Sequence, residues 1–167
     1  GGFIVTVLVH TDMASPHLHH AGTPAQLARW MPGITSGRTI TAVGITEPGA
    51  GSDLAALKTR ADRDGDEYVV NGSKIWTTYA QYANWIFCLV RTDPKAAKHE
   101  GIGFLLIDMK TPGIEVAPLV QMTGGRGFSQ CFFKDVEVPV ANLIGAPTQG
   151  WQIANTVLGY ERGASTL

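Results

Sequence analysis

The chain has 167 residues, with 13 Lys and Arg against 14 Asp and Glu, so its net charge of −1 supplies no basic field for nucleic acid or an acidic membrane. That length suits one ordinary domain that can bury a core without disulfides or metal. No apolar run approaches the ~18 residues of a membrane helix, which points to a soluble protein of a reducing compartment.

The chain opens at Gly1-Gly2 without Met and closes at Leu167 just as a helical pattern begins, so both ends read as cuts in a longer protein. Residues 3 to 34 read as helical. Thr23 is an N-cap, Pro24 takes the first helical position, and Leu27, Trp30 and Met31 follow at helical spacing. Pro32-Gly33 is expected to stop that helix. Gly37 to Ile45 alternates and is rich in β-branched residues, as in a strand. After a turn-rich loop, two runs end on hairpin signals: Thr59 to Arg63 on Asp64-Gly65, and Glu67 to Val70 on Asn71-Gly72. Further strands are expected over Trp85 to Arg91, Gly103 to Met109, Ile114 to Leu119 and Gln130 to Val136. From Gln149-Gly150-Trp151 a helical pattern returns with Ala154, Val157 and Leu158. This order predicts a mainly β chain, an antiparallel barrel or sandwich, flanked by helices. Cys88 and Cys131 each lie in an apolar run and read as buried free thiols; a disulfide or redox pair is the alternative.

Two segments have chemical content. In Val43-Gly44-Ile45-Thr46-Glu47-Pro48-Gly49-Ala50-Gly51-Ser52-Asp53 a strand runs into a loop with two glycines, a hydroxyl and a carboxylate. Glycines let backbone approach a bulky ligand, and free N–H groups in such a loop can receive anionic or carbonyl oxygens. An ordinary capped turn would look the same. In Asn71-Gly72-Ser73-Lys74-Ile75-Trp76-Thr77-Thr78 a strand sets an indole face beside two hydroxyls. Such a set can lie on a flat ring and donate to its edge, and it also suits a core tryptophan in a sheet. His17-Leu18-His19-His20 invites a metal reading, but no carboxylate or cysteine stands at ligand spacing, so no metal is expected. His99 falls in the polar loop 93 to 100 and is expected to be solvated.

Taken together, these pieces resemble the acyl-CoA dehydrogenase family. The matching runs are Gly22-Thr23-Pro24 with Gln26, Met31-Pro32, Thr46-Glu47-Pro48-Gly49-Ala50-Gly51-Ser52-Asp53, Val70-Asn71-Gly72-Ser73-Lys74 and Trp76-Thr77-Thr78. Farther on come Phe133-Lys134-Asp135-Val136-Glu137-Val138-Pro139, Asn142-Leu143-Ile144-Gly145 and Gly150-Trp151 with Glu161-Arg162. The resemblance covers nearly the whole chain. It implies a division into residues 1–36, the end of an N-terminal helical domain; 37–146, the middle β-barrel domain; and 147–167, the start of a C-terminal helical domain.

The resemblance also implies FAD as cofactor. Residues 43 to 52 would contact the flavin and its pyrophosphate, with Val43, Ile45, Thr46, Gly51 and Ser52 among the contacts and Thr46 near the pyrimidine edge. Trp76 would lie beside the isoalloxazine and Thr78 would donate to flavin N5; Thr77 stands where the family often has Ile. Ser52 would reach the CoA part of the substrate, and Arg126, in the Gly124-Gly125-Arg126-Gly127 loop, would meet a phosphate or a polar acyl end, although a plain surface loop reads as well. The implied reaction oxidises an acyl-CoA to the 2,3-enoyl-CoA, a carboxylate taking the Cα proton while the Cβ hydride passes to the flavin. The family's catalytic Glu lies in the C-terminal domain and has no counterpart here, and Glu161 is not that base. Other FAD contacts would come from that domain and a neighbouring subunit, so weak or no FAD binding by this chain is expected. An acyl-CoA substrate, an electron-transfer flavoprotein as acceptor, a homodimer or tetramer, and a cytoplasmic location (mitochondrial matrix in a eukaryote) complete the implied picture. An acyl-CoA oxidase or flavin monooxygenase of the same superfamily, or a non-catalytic binding module, remains an alternative.

Overall fold

The computed structural model describes residue 7 and residues 9–164. Residues 3 to 6, read above as helical, and the side chain of Glu161 lie outside the described residues. A π-helical turn, Val9–Ala14, leads into α1 (Ser15–Ala21) and α2 (Pro24–Thr35). Eight strands follow: β1 (Thr41–Gly44), β2 (Arg60–Asp64), β3 (Glu67–Thr78), β4 (Trp85–Arg91), β5 (Ile102–Asp108), β6 (Ile114–Leu119), β7 (Phe128–Pro139) and β8 (Leu143–Ile144). The last element is α3 (Gly150–Ala164).

The mainly β expectation agrees with this architecture. The strands form one sheet in the order β6-β7-β3-β2-β4-β5-β8, with β1 paired to β4 off that path. Among the described residues β6 and β8 end the row, so the sheet stays open. Its pairs are antiparallel except β1 with β4 and the single Arg60–Arg91 pair that joins β2 to β4.

β4 and β5 explain the most apolar stretches of the sequence. Ile86, Cys88 and Val90 of β4 and Leu105 and Ile107 of β5 enter one core with Tyr68, Val70, Cys131 and Phe133. Their alternating neighbours Phe87, Leu89, Phe104 and Leu106 face the other way, into a second core with Leu18, Trp30, Ile34 and Ile153 from the helices. Strands covered on both faces lose the polar half of their alternation. β3 and β7 keep that alternation because only one of their faces meets the first core.

Thr23 caps α2 as expected. Its hydroxyl accepts from Gln26 N, and Gln26 Oε1 accepts from Thr23 N at 2.9 Å, closing a capping box. The Gln26 amide also donates to the carbonyls of Ala141 and Leu143, at 2.8 and 2.7 Å, and so ties α2 to the start of β8.

Two expectations need correction. Pro32-Gly33 does not stop α2, which runs to Thr35. A proline so close to the end removes one donor only. The carbonyls of the last turn find other partners, Thr35 Oγ1 donating to Met31 O and Ser36 Oγ to Pro32 O, both at 2.8 Å. The chain turns off at Gly37, whose φ of 71° is the left-handed value of a helix end. Asp64-Gly65 does make the β2–β3 hairpin, but Asn71-Gly72 makes no turn. It lies inside β3 at a bulge, where the pairing steps from Val70–Val136 to Gly72–Phe133. Gly72 adopts φ 147°, and the Asn71 side chain holds the opposite strand, accepting from Asp135 N at 3.0 Å. Both halves of β3 pair with the same long β7, so the positive φ bends a strand instead of reversing it.

Candidate functional site

Beyond Gly44 the chain leaves β1 but stays beside β3, because Ile75 N donates to Thr46 O at 2.9 Å. β3 carries a second irregularity there. Its pairing with β7 steps from Lys74–Cys131 to Thr77–Ser129, so one extra residue is accommodated at Ile75-Trp76. Trp76 adopts φ 61°, a region that costs a bulky L-residue about 1–2 kcal/mol. The strained backbone turns the indole outward: Trp76 is 57% exposed and meets Phe128 edge-on at 6.0 Å between ring centroids. Strain of this kind gathers at functional sites.

These features enclose a groove of about 230 Å³, lined by Met13, Val43, Ile45, Thr46, Ile75, Trp76, Thr78 and Phe128. Five residues singled out in the sequence therefore meet there: Val43, Ile45 and Thr46 from the end of β1, and Trp76 and Thr78 from the end of β3. Thr77 does not line it; its side chain is 1% exposed and lies on the opposite, buried face of β3. Gly51 and Ser52 sit on the exposed loop beyond the groove. Arg126 lines a different cleft of about 410 Å³ with Tyr79, Tyr82 and Gln121, separated from the groove by the turn into Phe128. Its carbonyl accepts from Gln81 Nε2 at 2.9 Å.

Sequence reasoning missed three lining residues. Ile75 and Phe128 flank residues it had named. Met13 gave no signal, because nothing in a helical run marks which turn will cross a sheet edge far away.

It also missed what holds the loop. Glu47 and Ala50 exchange backbone hydrogen bonds at 3.1 Å, closing a tight turn. The Glu47 carboxylate then reaches across to accept from Lys58 N at 2.6 Å and Thr59 N at 2.9 Å. Lys74 Nζ, from β3, donates to the same carboxylate at 2.8 Å and to Ile45 O at 3.2 Å. Both charges are out of water, Lys74 being 0% and Glu47 7% exposed. Burial pushes the Glu47 carboxyl up, but the Lys74 charge and the donors of Lys58 and Thr59 outweigh it and hold the group below the usual carboxylate range. A lysine in an alternating strand normally reads as solvated, which is why the sequence gives no hint of this pair.

At the far side of the loop lies a shallow pocket of about 520 Å³ lined by Lys58, Arg60, Arg91 and Lys98. Asp53 meets Lys98 at 3.2 Å and Asp62 meets Arg60 at 3.3 Å, so its positive charge is partly offset.

A wider cavity of about 730 Å³ lies elsewhere, against α1 and α2, where Met31, Ile34 and Ile40 line it with His10 and His19. His17 is buried in the second core, stacked on Phe87 and Phe104 at 5.7 and 5.1 Å, and its Nδ1 bonds Ala14 O at 2.8 Å. His99 is exposed as expected but also stacks on Trp151 at 4.2 Å. Cys88 and Cys131 are free and buried.

Residues 42–136, which span β1 through most of β7, match the family described as "Acyl-CoA dehydrogenase, middle domain". The acyl-CoA dehydrogenase IpdE1 of Mycobacterium tuberculosis is 41% identical over 156 residues, covering 93% of this chain and 40% of its own length. The crystal structure of an acyl-CoA dehydrogenase from Geobacillus kaustophilus superimposes with a TM-score of 0.92 at 37% identity, over 97% of this chain and 43% of that one. A prolyl acyl carrier protein oxidase, AnaB, superimposes with a TM-score of 0.91 at 31% identity, over 97% and 43%. The chain thus spans about two fifths of the length of these relatives. The bulged β3 with its outward indole, and the loop that continues β1, fall inside the matched span, and the chain belongs to the acyl-CoA dehydrogenase family as a middle domain.

Proposed function

We propose that this chain is the flavin-holding part of an enzyme that oxidises acyl-CoA thioesters to 2,3-enoyl-CoA, with FAD as cofactor. The observation that carries this reading is the convergence of Val43, Ile45, Thr46, Trp76 and Thr78 on one groove from two separate strand ends. The groove fits a flat heteroaromatic ring. It offers a broad indole face already turned out of the sheet, apolar side chains opposite, and the hydroxyl-bearing residues Thr46 and Thr78 at its border. An exposed tryptophan beside a phenylalanine is apolar surface that a ligand would cover. When bound, the flavin would accept the Cβ hydride at N5 while a carboxylate base takes the Cα proton. Thr78 would donate its hydroxyl at N5, Thr46 would bond the pyrimidine edge, and Trp76 would keep water from one face. Val43 and Ile45 would pack the ring.

Gly51 and Ser52 belong to the pyrophosphate and CoA side of this proposal, where the loop tip is exposed. The neighbouring pocket of Lys58, Arg60, Arg91 and Lys98 suits the phosphates of CoA. Arg126 would meet a polar group of the substrate from its own cleft. Thr77 would touch the cofactor through its backbone only, given its buried side chain. We read residues 1–36 and 147–167 as parts of flanking helical domains, with the base supplied from the C-terminal one. An electron-transfer flavoprotein would be the acceptor, and the complete protein a dimer or tetramer.

A second reading, an oxygen-using oxidase, is favoured by the likeness to AnaB. Anaerobic reduction by acyl-CoA followed by admission of oxygen separates the two.

Titration of the chain with FAD tests the groove. The expected result is weak, saturable quenching of flavin fluorescence, with affinity falling about tenfold, some 1.4 kcal/mol, in Trp76→Ala and in Thr78→Ala. Binding that neither substitution weakens would refute the placement.

A further inference from the structure

We infer that the buried Lys74–Glu47 pair is a positioning device for the cofactor groove: it fixes the Ile45-Thr46 backbone against β3 and closes the loop that follows. The inference rests on the groove reading above and adds to it two residues that line nothing themselves.

The geometry is specific. Lys74 lies in β3 two residues before Trp76, and its Nζ reaches back under the loop to Ile45 O at 3.2 Å and Glu47 Oε1 at 2.8 Å. One ammonium thereby grips the chain on both sides of Thr46. The Thr46 carbonyl is in turn held by Ile75 N at 2.9 Å. The Glu47 carboxylate closes the loop by accepting from Lys58 N and Thr59 N. Ile45, Thr46, Ile75 and Trp76, four of the groove's lining residues, are therefore bonded to, or next to, groups that this pair organises. Gly44 leaves room for the arrangement, since a Cβ there would stand 3.2 Å from Lys74 Cγ and 2.8 Å from Ile86 Cδ1. A buried ion pair adds little to stability compared with apolar residues of the same size, and fixing one geometry is its best-attested use.

The titratable groups facing the pair are few. Lys74 and Glu47 face each other, the Cys88 thiol of β4 lies near enough to feel both charges, and Cys131 of β7 stands opposite Lys74 in the strand pairing; burial pushes these thiols up to about 12 and 11, so both are neutral across the working range. Lys58 approaches through its backbone N–H, and Thr59 through both its backbone N–H and its side chain. Removing the ammonium would leave Glu47 buried without a cation, and burial would then push its carboxyl up toward neutrality. The protonated acid loses one of its acceptor positions. In Lys74→Met the loop should therefore loosen as pH falls and tighten as pH rises, while the wild type stays flat over the same range.

The test uses two variants and two readouts. In Lys74→Met, amide hydrogen exchange at Lys58, Thr59 and Ile75 should quicken at least tenfold, with the amides of β5 unchanged. FAD affinity should fall at least tenfold at pH 6 and recover partly by pH 8. The double variant Glu47→Gln, Lys74→Met carries no unpaired charge, so it serves where the single variant does not fold. It should melt within a few degrees of the wild type, yet show faster exchange at Ile75 and at Lys58 or Thr59, and weaker, pH-independent FAD binding. Unchanged exchange at those amides in a folded variant, or exchange faster throughout the chain in proportion to lost stability, overturns the inference. Unchanged FAD affinity with loosened amides overturns it as well. If the wild-type chain shows no saturable FAD signal, which the need for contacts from a further domain and subunit allows, the exchange pattern alone decides what the pair does.

Discussion

Acidification offers a direct probe of the interface between the helices and the sheet, through His17. The ring is 1% exposed, packed on Phe87 and Phe104, and its Nε2 has no hydrogen-bond partner among the described residues. Burial, partly countered by the bond to Ala14 O and aided by the nearby charge of His20, lowers its pKa from 6.5 to about 4. The folded pKa lies below the unfolded one, so between these values the unfolded chain binds the proton and the folded chain does not. Stability is then full above pH 6.5 and falls as pH drops through the window toward 4. Each pH unit costs about 1.4 kcal/mol, so the drop from pH 6.5 to 5 removes roughly 2 kcal/mol, and the whole window about 3. Glu47 is also held below its ordinary value of 4.5, but its stabilising contribution is lost only at lower pH, so it does not enter between pH 5 and 6.5. Urea unfolding followed by tryptophan fluorescence at pH 7, 6.5, 6, 5.5 and 5 would read this slope. In His17→Leu, close in volume and without a proton to bind, the slope should vanish and the curves meet toward acid pH. Parallel pH curves for wild type and variant would show that the ring is not held neutral by burial, and would refute the reasoning.

Two further outcomes follow from burial. Gln26→Ala removes one side chain that bonds Thr23 N, Ala141 O and Leu143 O, leaving two carbonyls near β8 without their donor, and should cost about 2–3 kcal/mol by urea midpoint. A loss below about 0.5 kcal/mol would mean that water replaces the amide at no cost. Burial pushes the Cys88 and Cys131 thiols up to about 12 and 11, so neither should react with a disulfide reagent at pH 8 in the folded chain, while both should react in denaturant. Rapid reaction of either thiol without denaturant would place it at the surface.

The sequence was informative where one residue decides a local structure. Thr23, Pro24 and Gln26 carry their helix start in their side chains and ring, so the N-terminus of α2 was legible. Trp85 to Arg91 and Ile114 to Leu119 were legible as strands because their composition and flanking turns agree, and the observed bounds are the same. The signals that failed depended on a distant partner. Asn71-Gly72 has the residues of a turn, but whether positive φ reverses a chain or bulges a strand depends on what lies opposite, and here that is β7. Pro32 tolerates a helical continuation because Thr35 and Ser36 hydroxyls serve the last carbonyls. At the site, the family resemblance pointed to Trp76 and Thr78, whereas strict alternation would have put Lys74 on the same face as both. The bulge at Ile75-Trp76 shifts the pattern by one residue, turns Trp76 out and leaves Lys74 buried.

That shift links the two unusual features of the site. A regular β3 would place Lys74, Trp76 and Thr78 on a single face, with the ammonium beside the indole in the groove. With one extra residue before Thr77, Lys74 instead faces the Glu47 carboxylate beneath the loop, while Trp76 remains outside. The positive φ of Trp76 is thus the local cost of having a buried cation and an exposed ring two residues apart on one strand. It is offset by the bonds made on either side, Ile75 N to Thr46 O and Tyr79 N to Gly127 O at 2.8 Å. On this argument the strain at Trp76 and the burial of Lys74 are one feature of β3, and a substitution that regularises the strand would lose both together.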